Sequence, residues 1–184
     1  MLAGRYGGRR LRTPRGSTTR PTAERVREAV YGMLGSVDGA TVLDLFAGSG
    51  AMGIEAISRG ARQAVFVERD RAAIAVLQAN LAALGLGDEQ AQVRPEDALR
   101  ALEASRKRQE TYDLLLIDPP YGHASELGPA LDEALRGLPA AGARVVVESD
   151  RRAPLRLEPE LGLELELARE RRYGDTEIRI YHRQ

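Results

Sequence analysis

The sequence predicts an α/β fold: a doubly wound, mostly parallel sheet that closes in a C-terminal antiparallel hairpin and carries a basic N-terminal arm. Three observations predict it. From residue 20 onward short apolar runs alternate with stretches of helical period, leucine and glutamate alternate strictly near the C-terminus, and arginine is crowded ahead of the first periodic segment. At 184 residues the chain holds one core of ordinary size. The organisation is therefore an arm over 1–19 and a single domain over 20–184.

The arm, Met1 to Thr19, is rich in Gly, Arg and Thr, so it is expected to be flexible or at most a short hairpin with no core of its own. Pro21 suits a first helical position, and Val26, Val30, Tyr31 and Leu34 recur at helical spacing before Gly35, which predicts a helix over Thr22 to Leu34. Strand Thr41 to Phe46, helix Ala51 to Ser58 and strand Ala64 to Val67 follow. A helix then starts near Asp70, with Ile74, Leu77, Leu81 and Leu84 on one stripe and Gly85 as its stop. The alternation continues through a short strand at Gln92 to Arg94, a helix from Glu96 to Ser105, strand Tyr112 to Ile117, a helix from Glu126 to Leu138, and strand Ala143 to Glu148. Such βαβ grammar implies parallel strands with right-handed connections. The ending differs: Leu161, Leu163, Leu165 and Leu167 alternate with Glu164 and Glu166, and Ile178 and Ile180 with Glu177 and Arg179, about a Gly174-Asp175 turn. The acidic run Glu158, Glu160, Glu164 and Glu166 reads as a solvated strand face opposite Arg179.

Composition removes several function classes. Cysteine is absent, so disulfide scaffolds, thiolate metal sites and cysteine nucleophiles are out. No apolar run approaches the ~18 residues of a membrane span, and the N-terminus lacks an apolar signal-peptide core. A cytoplasmic protein without a membrane partner is expected. The formal net charge is zero, with 27 basic against 27 acidic residues. That total hides a division: the first 27 residues hold eight arginines and one glutamate, a charge of +7, and the rest of the chain carries −7. Six arginines before residue 21, with no acid among them, suit a phosphate backbone.

Between the first strand and its helix stands Asp44-Leu-Phe46-Ala47-Gly48-Ser-Gly50-Ala-Met-Gly53, a G-x-G-x-x-G turn. Glycines let the backbone approach a ligand, and the helix N-terminus beyond offers unpaired N–H donors. Glu68 follows Gly48 by 20 residues, the spacing at which a carboxylate holds ribose hydroxyls in dinucleotide sites. Asp44 argues against a dinucleotide, because a carboxylate there repels a pyrophosphate and welcomes the cationic end of an amino-acid ligand. A ligand-free packing turn would show the same glycines.

After strand Tyr112 to Ile117 comes Asp118-Pro119-Pro120-Tyr121, where a parallel strand opens onto the ligand crevice. Two prolines stiffen the turn. A carboxylate, a rigid carbonyl and an aromatic face together suit a planar base with an exocyclic amine: Asp118 and the Pro119 carbonyl accept its two N–H groups and Tyr121 stacks on the ring. Such an amine is a poor nucleophile, and holding it in line with an electrophile supplies orientation. A Pro-Pro turn that merely ends a strand is the bland reading. His123 reads as a loop residue, and His182, in the last strand, has no metal-ligand company, so no metal is expected.

These residues resemble the class I S-adenosylmethionine-dependent methyltransferases, and more closely the bacterial small-subunit (16S) ribosomal RNA guanine-N2 methyltransferases. The resemblance runs through Arg20-Pro-Thr-Ala-Glu-Arg-Val-Arg-Glu28, Asp44 to Ala56, Val67-Glu68-Arg69-Asp70, Asp118 to Tyr121, Val147-Glu148 and Tyr173-Gly-Asp-Thr176. It implies the Rossmann-like methyltransferase sheet and S-adenosyl-L-methionine as cofactor. Asp44, Gly48 and Gly50 would border the methionine part, Glu68 the ribose hydroxyls, and Asp97 with Ala98 the adenine, with Phe46, Ala47, Arg69 and Asp118 also against the cofactor. Asp118, Pro119, Pro120 and Tyr121 would form the catalytic group. Arg5, Arg9, Arg10, Arg20, Thr22 and Arg25, with Tyr121, would receive small-subunit rRNA, free or within the ribosomal subunit, and the chain would act as a monomer. The family's longer initial segment is shortened here to Met1-Leu-Ala-Gly4, and Tyr31 stands where phenylalanine is more usual. Competing readings are an amino methyltransferase for another base or for protein glutamine, a nicotinamide-dependent dehydrogenase, and a binder without activity.

Overall fold

The computed structural model describes residues 1–13, 21–120, 124–157 and 164–184. Seven strands form one sheet: β1 (Thr41–Leu45), β2 (Gln63–Val67), β3 (Ala91–Arg94), β4 (Tyr112–Ile117), β5 (Pro139–Asp150), β6 (Leu165–Tyr173) and β7 (Thr176–Arg183). Their spatial order is β3-β2-β1-β4-β5-β7-β6, and β7 alone runs against the others. Among the described residues the α-helices are α1 (Pro21–Leu34), α2 (Ala51–Ser58), α3 (Arg71–Leu84), α4 (Ala98–Lys107) and α5 (Ala124–Leu135).

Alternation along the central strands divides the core in two. Val42, Leu114 and Leu116 meet Val30 of α1, Ile54 of α2 and Leu77 and Leu81 of α3, whereas Leu43, Leu45, Leu115 and Ile117 meet Leu102 of α4 and Leu131 and Leu135 of α5. Strands buried on both faces need apolar residues at every position, and β1 and most of β4 are buried throughout.

Local chemistry sets the boundaries. Asp97 caps α4 by accepting from Leu99 N–H at 3.0 Å, so that helix begins at Ala98 and not at the expected Glu96. Asp70 caps α3 in the same manner, and Gly85, at φ +69°, ends it as expected. Leu138, expected to end α5, instead accepts from Tyr112 N–H beyond the helix. In the hairpin the strict alternation fails: Leu165 is buried but Leu167 is 49 % exposed, and the register shifts just beyond it, between Leu167 and Arg169. Arg179 does not face Glu164 or Glu166, the upstream acids among the described residues. It is buried and paired with Glu170 and Glu177, while Glu164 pairs with Arg183 and Glu166 lies opposite His182. Glu158, Glu160, Leu161 and Leu163 lie outside the described residues.

The arm is also more ordered than its composition implies. Leu2 and Ala3 N–H donate to the buried Glu55 carboxylate at 2.9 and 3.1 Å, and Tyr6 N–H donates to Ser58 Oγ at 2.9 Å. Tyr6 joins the core, with Met1 and Leu11 packed beside it. The arm cannot make a core, but α2 offers one together with polar groups that replace water at its backbone. The expected boundary after residue 19 falls in 14–20, outside the described residues.

Candidate functional site

Strand order reverses between β1 and β4, and in such sheets the crevice opens at the carboxyl ends of the strands flanking that point. Leu45 lies opposite Ile117, so the turn after β1 and the turn after β4 leave the sheet side by side. The first turn is sharply wound: Phe46, Gly48 and Gly50 all have positive φ, at 60°, 55° and 80°. In Phe46, which has a Cβ, that conformation costs about 1–3 kcal/mol and persists because its surroundings hold it. Gly53 serves close packing. A Cβ there would stand 2.4 Å from the Phe66 ring of β2 and 3.0 Å from Asp44 Oδ2.

A cavity of about 450 Å³ opens beside these turns. Of the candidate residues, Phe46, Glu68, Arg69, Ala98, Asp118 and Pro120 line it, together with Val67, Asp70 and Glu96. Asp44, Ala47, Gly48, Gly50, Asp97 and Pro119 do not line it: Asp44, Ala47, Gly50 and Pro119 are buried, Gly48 holds the turn, and Asp97 caps α4 and meets Arg69 at 3.5 Å. A second cavity of similar size lies at the amino ends of β1, β2 and β4, against Thr41, Gln63 and Tyr112. It contains none of the candidate residues and sits at the end of the sheet where parallel strands do not build ligand crevices.

Negative charge dominates the carboxyl edge. Asp44 is 3 % exposed, and its Oδ2 accepts Gly53 N–H at 2.8 Å. Burial, with the charge of Glu68 adding, raises its pKa to about 7 against the opposing effect of that hydrogen bond. Burial likewise raises Glu148 to about 7. Desolvation, then the charges of Glu148 and Asp44, push Asp118 above the usual carboxylate range, although the residue as a whole is exposed. The residue opens to the cavity, where water offsets part of that desolvation. Three carboxyl groups that cannot all ionise cheaply together make a site that gains most from a cation.

Glu148 stood in the sequence only as a landmark beside Val147. Its place follows from pairing, since Ile117 lies opposite Val147 and the next residues, Asp118 and Glu148, are level on adjacent strands. Without the strand order no spacing rule finds it. Glu68 also does more than expected. Its carboxylate accepts the N–H groups of Gly48 at 2.9 Å and of Arg69 and Asp70 at 2.8 Å, tying the turn after β1 to the turn after β2.

Among the substrate candidates, Arg5, Arg9, Arg10 and Arg25 are exposed, and the Arg5 guanidinium lies 5.5 Å from the centre of the Tyr6 ring. Arg20, Tyr121, His123 and the side chain of Thr22 lie outside the described residues. Among the described residues no cluster of potential metal ligands occurs, and no helix is long and apolar enough to cross a membrane.

Comparison with known proteins matches residues 1–182 to the family described as "Conserved hypothetical protein 95". The chain is 40 % identical over 184 residues to "Putative rRNA methyltransferase YlbH" of Bacillus subtilis, covering 98 % of this chain and 97 % of that one. It is 35 % identical over 187 residues to "Ribosomal RNA small subunit methyltransferase D" of Escherichia coli, covering 100 % and 89 %. The solved structure titled "Putative methyltransferase yhhF from Escherichia coli" superposes with a TM-score of 0.83 at 35 % identity, covering 100 % of this chain and 97 % of that one.

Proposed function

The chain belongs to the Conserved hypothetical protein 95 family, and on that footing we propose that it methylates the exocyclic 2-amino group of a guanine in small-subunit ribosomal RNA. Methyl transfer from S-adenosylmethionine to rRNA is the activity of this enzyme, and the guanine amine is the finer part of the reading. The observation that carries it is Asp118, open to the cavity and followed by two prolines, level with Glu148 and near Asp44.

The lining suits this cofactor. A nucleoside bearing a sulfonium and an ammonium group brings hydroxyl donors and positive charge to a crevice whose polar groups are mostly carboxylates. A pyrophosphate would face Glu68 and Asp118 in the cavity, with Asp44 buried close behind them, which disfavours the dehydrogenase reading. When bound, S-adenosylmethionine supplies a methyl group activated by the adjoining sulfonium. Glu68 has roughly four acceptor positions, three of them taken by backbone N–H groups, so one remains for a ribose hydroxyl. Phe46, Val67 and Ala98 give the adenine an apolar bed. Asp44, buried behind the cavity wall, draws the cationic amino-acid end by its charge across the glycine turn, with Gly53 N–H fixing its carboxylate.

Asp118 and the Pro119 carbonyl accept the two N–H groups of the guanine amine, aiming the nitrogen lone pair along the line of the breaking C–S bond. The nitrogen would take the methyl group as the C–S bond breaks with its electron pair left on sulfur, and the strongly acidic ammonium so formed would pass its proton to water without a dedicated base. The exposed arginines of the arm hold RNA phosphates, and the chain works as a cytoplasmic monomer on small-subunit rRNA, free or within the subunit.

Incubating small-subunit rRNA and small-subunit particles with the enzyme and isotopically labelled cofactor, then mapping methyl groups by mass spectrometry, tests the reading. Asp118→Ala is expected to lower turnover at least about 100-fold while cofactor affinity moves only a few-fold. No incorporation into either substrate would overturn the function, and full turnover in the variant would overturn the role of Asp118.

A further inference from the structure

On α3 the stripe that packs inward is apolar except at Asn80, which is 2 % exposed between Leu77 and Leu81. A buried amide must find partners, and this one finds them on two different segments. Its Oδ1 accepts Arg12 N–H at 2.8 Å, and its Nδ2 donates to Arg12 O at 3.0 Å and to Ser49 O at 2.9 Å. Only one orientation of the amide satisfies all three bonds, because the reverse would set its oxygen against two carbonyls. Asn80 therefore holds the backbone of the arm as a neighbouring strand would, and with the same NH₂ group holds the glycine turn midway between Gly48 and Gly50. One turn earlier on the helix, Leu77 packs so closely on Gly50 that a Cβ there would lie 2.3 Å from its Cδ1.

We propose that Asn80 is a positioning residue that couples RNA binding at the arm to cofactor binding at the glycine turn. The inference rests on the reading of the arm as the RNA contact. Arg12 makes the coupling direct: its guanidinium is exposed beside Arg9 and Arg10, while its backbone is the part Asn80 grips. A phosphate that orders Arg12 orders the amide, and the amide orders Ser49. The second ligand then meets a turn whose freedom has already been reduced, and thermodynamic reciprocity requires the cofactor to tighten RNA by the same factor. A residue that only braced the arm would affect melting temperature and leave that factor untouched.

The test titrates S-adenosylhomocysteine into the full chain by calorimetry, with and without a saturating small-subunit rRNA transcript. In the wild type RNA is expected to tighten the nucleoside about 5–20-fold. In Asn80→Leu and in Asn80→Asp, which keeps the acceptor and loses both donors, the factor is expected to fall below about 2. A factor near 1 in the wild type, or an undiminished factor in both variants, overturns the proposal. Hydrogen exchange on the wild type needs no variant: S-adenosylhomocysteine alone is expected to slow exchange of Arg12 N–H, and unchanged exchange at Arg12 also overturns it. Failure of the wild type to bind or methylate rRNA would overturn the functional reading instead, and the exchange result at Arg12 still decides the coupling.

Discussion

Replacing Asp44 with asparagine is expected to stabilise the ligand-free protein by the full amount at pH 8.5 and by only about a third as much at pH 5. In the folded chain the carboxyl holds its proton up to a pH of about 7, whereas once unfolded it returns to the ordinary value of 3.8. Between those values the native state binds the extra proton, so stability falls as pH rises through the window, and the whole penalty is present above about 7. Its upper bound is about 4 kcal/mol, with little discount for solvent at a residue only 3 % exposed. Asp118 and Glu148 share the titration, so about 2–4 kcal/mol is the working range. In a domain of this size that is roughly 5–10 °C in melting temperature. The asparagine keeps an acceptor for Gly53 N–H and removes the charge. Thermal and urea unfolding of both proteins at pH 5, 7 and 8.5 measures the difference. The same variant should bind S-adenosylmethionine at least about 10-fold more weakly at pH 8, since a neutral amide offers nothing to its cationic end. A melting difference that does not change with pH would refute the electrostatic account.

Glu55→Gln leaves one oxygen to serve Leu2 N–H, Ala3 N–H and Arg59 Nε–H, and turns an NH₂ group toward one of these donors. A loss of about 2–4 kcal/mol is expected, with trypsin cutting the arm at Arg5, Arg9 and Arg10 at least about 10-fold faster; an unchanged digestion rate would contradict the docking. Gly53→Ala drives a methyl group into the Phe66 ring and is expected to cost about 1–3 kcal/mol by urea unfolding, with weaker cofactor binding because Asp44 loses its partner. A neutral result would mean that α2 does not approach β2 so closely.

Elements whose signals are local were legible in the sequence. Helix α2 and strand β4 have the expected limits, Ala51–Ser58 and Tyr112–Ile117, because a glycine turn starts one and Asp-Pro-Pro ends the other. Boundaries moved where a side chain competed: Asp97 took the cap of α4 and delayed it by two residues. The hairpin pattern broke at Leu167 because an edge strand, pressed from one side only, tolerates a bulge that a central strand would not. The site divides in the same way. Asp44, Glu68 and Asp118 announce themselves by standing next to glycines, at a fixed spacing, or before prolines, whereas Glu148 and Asn80 are ordinary residues in ordinary runs.

Residue order and charge were enough to set the succession of strands and helices, the two turns that border the cavity, and the split of a neutral chain into a basic arm and an acidic body. Tertiary structure alone decided that the last strand inserts between β5 and β6, that Asp118 and Glu148 stand level, and that Asn80 joins the arm to the glycine turn. It also decided that a segment too polar to fold alone lies down on Glu55, Ser58 and Asn80. Side-chain groups on two distant helices complete its hydrogen bonds, and pairing between residues 50 or more positions apart leaves no local trace in the sequence.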